Sequence, residues 1–340
     1  MYKVKSIDNK ISSELKKIVL PSQNRFFSCS VAAVSKGRLV YNYRFGKDYL
    51  YYDLASMTKA IFTGLYFLKA NKNASLISDI VPWLFDTPTR IGGLLSHTSG
   101  LNAHEEYYKK LIKSKNWDLD LKKLLREDSK KLQTKSPLYS DLGYLMLYYA
   151  IQELEETKNL EYIFEQLKSD FKLSEGFHFN SLNKPKFKRS LYAPTEKCKW
   201  RKKLIRGEVF DDNTWAMQGV STHAGLFGSL SDMIDFYKVL KKNYSSQKMK
   251  TVAPGWTYGF MKPSGATSTA GRFFSKDSIG HLGFTGVSFW YDPKVDFFVT
   301  LLSNRTFPNR DNNKFNSFRP WIHDLLYKEY VNEQPKLRKI

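Results

Sequence analysis

Several short segments of this sequence carry residues able to do covalent chemistry. The first is Asp53-Leu54-Ala55-Ser56-Met57-Thr58-Lys59. A serine hydroxyl is a poor nucleophile until a base removes its proton. If a helix starts near Asp53, Ser56 falls in its first turn, where unpaired backbone N–H groups and the positive dipole end face outward. Lys59, three residues on, shares that face. A lysine held in a dry pocket binds its proton less tightly and becomes a usable base. S-x-x-K arises often by chance, however, and a capping serine beside a solvated lysine accounts for the tetrapeptide taken alone.

The second segment is Tyr139-Ser140-Asp141, which follows Pro137 and directly precedes a long helical pattern. A tyrosine there could shuttle a proton to a leaving group. Equally, Tyr139 could be a packed aromatic and Asp141 a helix N-cap. The third is Gly280-His281-Leu282-Gly283-Phe284-Thr285-Gly286, on and just after an expected strand. Glycines in a strand mark close approach of another backbone or a ligand. An exposed edge here could give a backbone N–H to a developing oxyanion; the alternative is a bulged strand with His281 facing solvent. Leu94-Leu95-Ser96-His97-Thr98-Ser99-Gly100-Leu101 reads as a helix end with a glycine stop. Gly219-Val220-Ser221-Thr222-His223-Ala224-Gly225-Leu226-Phe227 reads as a small, flexible loop lining a pocket. For each histidine, a structural hydrogen bond competes with a catalytic role.

The elements that must position these segments follow from periodicity. Residues 26–45 form two β-rich runs joined at Ser35-Lys36-Gly37, a hairpin by composition and turn chemistry. A helix follows, capped by Asp53, with Ile61, Leu65 and Leu68 at helical spacing. From about 75 to 206 the pattern is helical and loop-rich, most strongly periodic over Leu142–Glu155. Strands return at Ser278–Gly283, Val287–Tyr291 and Phe297–Ser303, and a closing helix covers roughly Arg319–Tyr330. The order predicts a mixed α/β (α+β) architecture. Residues 1–75 and 207–340 would build a sheet domain, residues 76–206 a helical domain, with the active site in the cleft between.

A chain of 340 residues that is 42% hydrophobic and 26% charged can bury a sizeable core without disulfides. Its two cysteines, Cys29 and Cys198, lie far apart without a partner motif and read as buried or inert thiols. Lys plus Arg number 54 against 33 Asp plus Glu, a formal charge of +21. Such a surface favours anionic partners, but the charge is spread through Lys-rich, helical stretches (109–135, 184–206, 238–250), as solvated helix faces would be. Nucleic acid is not expected as a partner, because no recognised motif accompanies the charge. The amino end holds no apolar run long enough for an export signal, and no stretch reaches the ~18 apolar residues of a membrane span. A cytoplasmic location is expected, the alternative being the periplasm by an export route not legible here.

Taken together, D-L-A-S-M-T-K, L-L-S-H-T-S-G-L, Y-S-D-L-G-Y, H-A-G-L-F and G-H-L-G-F-T-G resemble the class C-like β-lactamase-related serine hydrolases, which include penicillin-binding DD-peptidases and esterases. Tyr192-Ala193-Pro194-Thr195-Glu196 and Arg206-Gly207-Glu208-Val209 look like less studied members. The resemblance, from about residue 30 to 305, implies a β-lactamase/DD-peptidase-like fold: an antiparallel sheet flanked by helices with an inserted helical lobe. It implies Ser56 as the acylated nucleophile, with Lys59 and Tyr139 sharing the acid and base roles. The N–H groups of Ser56 and Phe284 would hold the oxyanion, with Gly283, His281 and Asp141 lining the substrate. No metal or organic cofactor is expected.

Two positions depart from the family. Asp141 stands where Asn is common, and a carboxylate near Lys59 favours the ammonium and works against a base role. His281-Leu282-Gly283 stands where β-lactamases carry Lys-Thr-Gly, replacing a permanent cation by a residue largely neutral near pH 7. Protonation of His281 between pH 5 and 8 is expected to tighten binding of carboxylate-bearing substrates. The expected activity is hydrolysis of a peptide, amide or ester, with peptidoglycan-derived peptide as the substrate class. The alternatives are a true β-lactamase and a catalytically silent fold that binds a polyanion or cell-wall ligand.

Overall fold

The computed structural model describes residues 2–19, 26–131 and 137–332. The hairpin forms as its composition predicts. Strands Ser28–Ser35 and Arg38–Gly46 are joined by Lys36 and Gly37, both at positive φ (51° and 80°), the conformation that matches a two-residue turn to the twist of its strands.

The main sheet has seven antiparallel strands. In spatial order they are Arg38–Gly46, Ser28–Ser35, Phe297–Ser303, Ser288–Asp292, Ile279–Leu282, Phe260–Met261 and Trp256–Thr257. The central strands are apolar on both faces because each face is covered. The period-two alternation sends Ala32, Val34, Phe289, Phe298 and Leu302 into one core. It sends Cys29, Val31, Ala33, Trp290, Val299 and Leu301 into the other.

The first core is continuous with the helices of residues 77–171. Its centre is helix Asp141–Leu154, in which every residue from Leu142 to Gln152 is buried. The second core is closed by two helices, Tyr2–Ile18 and Phe315–Tyr327. Ile7, Ile11 and Leu15 from the first meet Phe315, Phe318 and Ile322 from the second. No helix among the described residues is long and apolar enough to cross a membrane.

Four local expectations are corrected. Residues 184–206 are not helical: they hold a 3-10 turn at Arg189–Leu191 and a hairpin of Glu196–Cys198 with Lys203–Ile205. Residues 132–135 of another Lys-rich stretch lie outside the described residues, and in the last one the helix Leu230–Asn243 ends before Lys248 and Lys250. The closing helix starts at Phe315, because burial of Phe315 and Phe318 against the sheet extends it past Pro320. Asp53 ends a short strand, Tyr52–Asp53, and the following helix opens with a 3-10 turn at Ala55–Met57 whose N-cap position is Leu54. It continues as a π turn over Lys59–Gly64 before becoming α-helical at Leu65–Ala70.

Candidate active site

The site is assembled where the Ala55–Met57 turn meets the head of helix Asp141–Leu154 and the end of strand Ile279–Leu282. Ala55 and Met57 are buried while Ser56 between them stays partly exposed. Ala55 holds φ 46°, a left-handed backbone that costs energy for a residue with a Cβ. Asp53 holds that conformation: Oδ1 accepts the Ala55 N–H at 2.8 Å and Oδ2 accepts the Phe210 N–H at 2.7 Å. Burial pushes the Asp53 carboxyl up to about 6, against the pull of those two N–H bonds.

Lys59 is wholly enclosed. Its Nζ donates to Ser56 Oγ at 3.1 Å, Asp141 Oδ1 at 2.7 Å and the His223 carbonyl at 3.2 Å. An ammonium has three protons to donate, and each finds one acceptor. Burial lowers Lys59 from its ordinary value, and Asp141 opposes that shift. Burial alone would raise Asp141, but the Lys59 charge and the His104 hydrogen bond hold its carboxyl well below the usual range.

The cap of helix Asp141–Leu154 is Ser140, whose Oγ accepts the Gly143 N–H at 3.3 Å. Asp141 is therefore not the N-cap, and its carboxylate is free to turn toward Lys59 and, at 3.4 Å, His104 Nδ1. The Tyr139 ring centroid lies 4.9 Å from Lys59 Nζ. Burial, with the Asp141 charge, pushes its phenol well above the ordinary value, and the nearby Ser56 hydroxyl pulls the other way. His97 grips the tyrosine from both sides. Its carbonyl accepts the Leu138 N–H at 2.9 Å, its Nδ1 accepts the Ser140 N–H at 3.0 Å, and its ring packs 4.6 Å from that of Tyr139.

The glycine-rich segment closes the other wall. The neighbouring strand Phe260–Met261 pairs with Ile279–Leu282 only at Gly280. A Cβ on Gly283 would lie 2.6 Å from the Leu54 carbonyl oxygen, so the absent side chain lets this strand end touch the serine turn. Thr285 Oγ1 donates to the Asp53 carbonyl at 2.7 Å. Phe284 is 49% exposed and stacks on Phe210 with centroids 5.6 Å apart.

His281 does not face solvent. It is buried, its Nδ1 lies 2.7 Å from the Leu282 carbonyl oxygen, and burial with the nearby Lys59 charge lowers it to about 3. Its burial argues against titration between pH 5 and 8, because a buried imidazole beside a cation cannot take up a proton cheaply.

Three contributors were not singled out from the sequence. His104 reaches Asp141 from a loop, and Asp211 caps helix Asp212–Ala216 while taking His223 Nε2 at 3.0 Å. Trp256 packs 4.3 Å from the His97 ring. The Asp211-Asp212-Asn213-Thr214 start signal was readable, but its nearness to Lys59 was not. The Gly219–Phe227 segment is buried rather than flexible: Ser221, Thr222 and His223 are all enclosed, and only a main-chain carbonyl reaches Lys59. No group of three metal-ligating side chains occurs among the described residues.

The Beta-lactamase family model matches residues 8–318. The chain belongs to that family and is a serine hydrolase. Among curated relatives it is 25% identical over 335 residues to a putative D-alanyl-D-alanine carboxypeptidase of Escherichia coli K12, covering 81% of this chain and 76% of that protein. It is 25% identical over 305 residues to an N-acetylmuramyl-L-alanine amidase of Bacillus subtilis 168, covering 75% and 68%. An octameric penicillin-binding protein homologue from Pyrococcus abyssi shares the fold, with a TM-score of 0.67 at 18% identity over 98% of this chain and 78% of that one.

Proposed function

We propose that Ser56 is the acylated nucleophile of a hydrolase acting on a peptide, amide or ester, with cell-wall-derived peptide as the substrate class. The observation that carries this reading is the set of acceptors around Lys59. When Lys59 is neutral, Asp141 and the His223 carbonyl take its two remaining N–H bonds, and its lone pair faces the Ser56 hydroxyl. Ser56 Oγ attacks the carbonyl carbon as its proton passes to Lys59. The N–H groups of Ser56 and Phe284 receive the oxyanion. Tyr139 gives its proton to the leaving nitrogen or oxygen and regains one from Lys59. Water then resolves the ester by the same steps in reverse. Asp141 favours the ammonium, so it tunes the lysine rather than disabling it.

The printed names of the relatives, a carboxypeptidase and a muramyl-alanine amidase, support peptide or amide substrates from the cell wall. A neutral, buried His281 in place of a lysine argues against a dedicated β-lactamase. Intact-mass analysis after a fluorophosphonate probe tests the nucleophile. One adduct is expected on wild type and none on Ser56→Ala; an equal adduct on both removes the assignment. A parallel screen of muropeptides, simple esters and a cephalosporin then tests the substrate class, with the cephalosporin expected to turn over slowest.

A further inference from the structure

A buried cation stands behind the glycine-rich wall of the site. Arg319 projects from helix Phe315–Tyr327 and is buried. One of its terminal nitrogens donates to the Gly283 carbonyl at 3.1 Å and to the Val287 carbonyl at 3.4 Å. The other donates to Asn316 Oδ1 at 3.1 Å. No carboxylate is paired with it among the described residues, although a buried charge without a counter-ion is costly. The Gly283 carbonyl also accepts the Gly286 N–H at 3.1 Å, closing a turn with Phe284 and Thr285 at its corners.

The Gly283 C=O and the Phe284 N–H are two ends of one peptide group. A guanidinium on the oxygen draws electron density along that group and makes its N–H a stronger donor, because hydrogen bonds in a chain polarise one another. We infer that Arg319 is a positioning residue for the oxyanion hole: it fixes the Gly283–Val287 turn and polarises the peptide that presents the Phe284 N–H. This rests on the proposed role of Phe284 above. Negative charge on the substrate oxygen develops only in the transition state, so the contribution falls on kcat rather than KM.

Two rates test it: phosphonylation of Ser56 by the fluorophosphonate and kcat for a p-nitrophenyl ester. Losing an oxyanion donor outright costs roughly a hundredfold or more, and losing its polarisation should cost roughly tenfold. Arg319→Gln is expected to lower both rates by about that factor with KM within roughly twofold. Arg319→Lys should regain most of the loss, and millimolar guanidinium should partly rescue Arg319→Gln. Unchanged rates, or kcat and KM shifting together without rescue, overturn the inference. If Arg319→Gln does not fold, Asn316→Ala decides, since exposed Asn316 holds the guanidinium in place. A several-fold fall in kcat supports the role and an unchanged kcat overturns it. Wild type that takes no adduct at Ser56 defeats the proposed function itself, whereas a labelled wild type with undiminished Arg319 variants defeats only this inference.

Discussion

Lys59 and Asp141 meet at 2.7 Å, and the lysine of the pair is completely enclosed. Two opposed effects act on the same amine: burial lowers its proton affinity and the carboxylate restores it. Replacing Asp141 by Asn removes the restoring charge. The neutral, reactive amine of Asp141→Asn should then persist to lower pH. The acid limb of kcat/KM, followed with a chromogenic ester, is expected to move to lower pH. A limb that stays in place or moves upward shows that Lys59 is not the titrating base.

Asp53 gives a stability prediction with a definite sign. Its carboxyl titrates near 3.8 when unperturbed and at about 6 in the fold. Between those values the folded chain holds the proton more often than the unfolded chain, so stability falls as pH rises. The contribution is fully present below about pH 4 and lost above about pH 6, roughly 3 kcal/mol in all. Denaturant unfolding of wild type and Asp53→Asn between pH 4 and 7 checks it. Wild type should lose stability relative to the variant across that range, and a constant difference refutes the shift.

His281 should be silent across the neutral range. At about 3 it stays uncharged from pH 5 to 8. KM for a carboxylate-bearing substrate is expected to vary in parallel for wild type and His281→Asn. Tightening toward pH 5 in wild type alone would restore the cationic role that its burial argues against.

His97 offers a test of the grip on Tyr139. Its φ of 59° is left-handed, a region that Asn tolerates better than Ala. His97→Ala removes the acceptor for the Ser140 N–H and opens a cavity beside Tyr139. A loss of roughly 2–4 kcal/mol of stability and about tenfold in kcat is expected. His97→Asn, which fits the backbone and still offers an acceptor, should recover part of both in thermal melts and ester turnover. Equal damage from the two variants would show that the ring packing, not the hydrogen bond, carries the effect.

Much of this architecture was legible in the chain. The Ser35-Lys36-Gly37 turn, the strands around 279–303 and helix Asp141–Leu154 followed from local periodicity and turn chemistry, which depend on neighbours a few residues apart. Helix Tyr2–Ile18 was readable too, since Ile7, Ile11 and Leu15 recur at helical spacing. Residues 184–206 misled, because lysine-rich composition does not distinguish a solvated helix from a solvated hairpin.

By itself the sequence determined the order of chemical groups: Ser56 and Lys59 on one turn, Tyr139 at a helix head, and glycines at a strand end. Only the tertiary structure decided their electrical state. Whether Lys59 is a base, His281 a cation or Arg319 idle depends on burial and on partners between 36 and 164 residues away, such as Asp141, the His223 carbonyl and the Gly283 carbonyl. Proton affinity is set by solvent exclusion and by charges a few ångströms off, and neither is a property of any local stretch of chain.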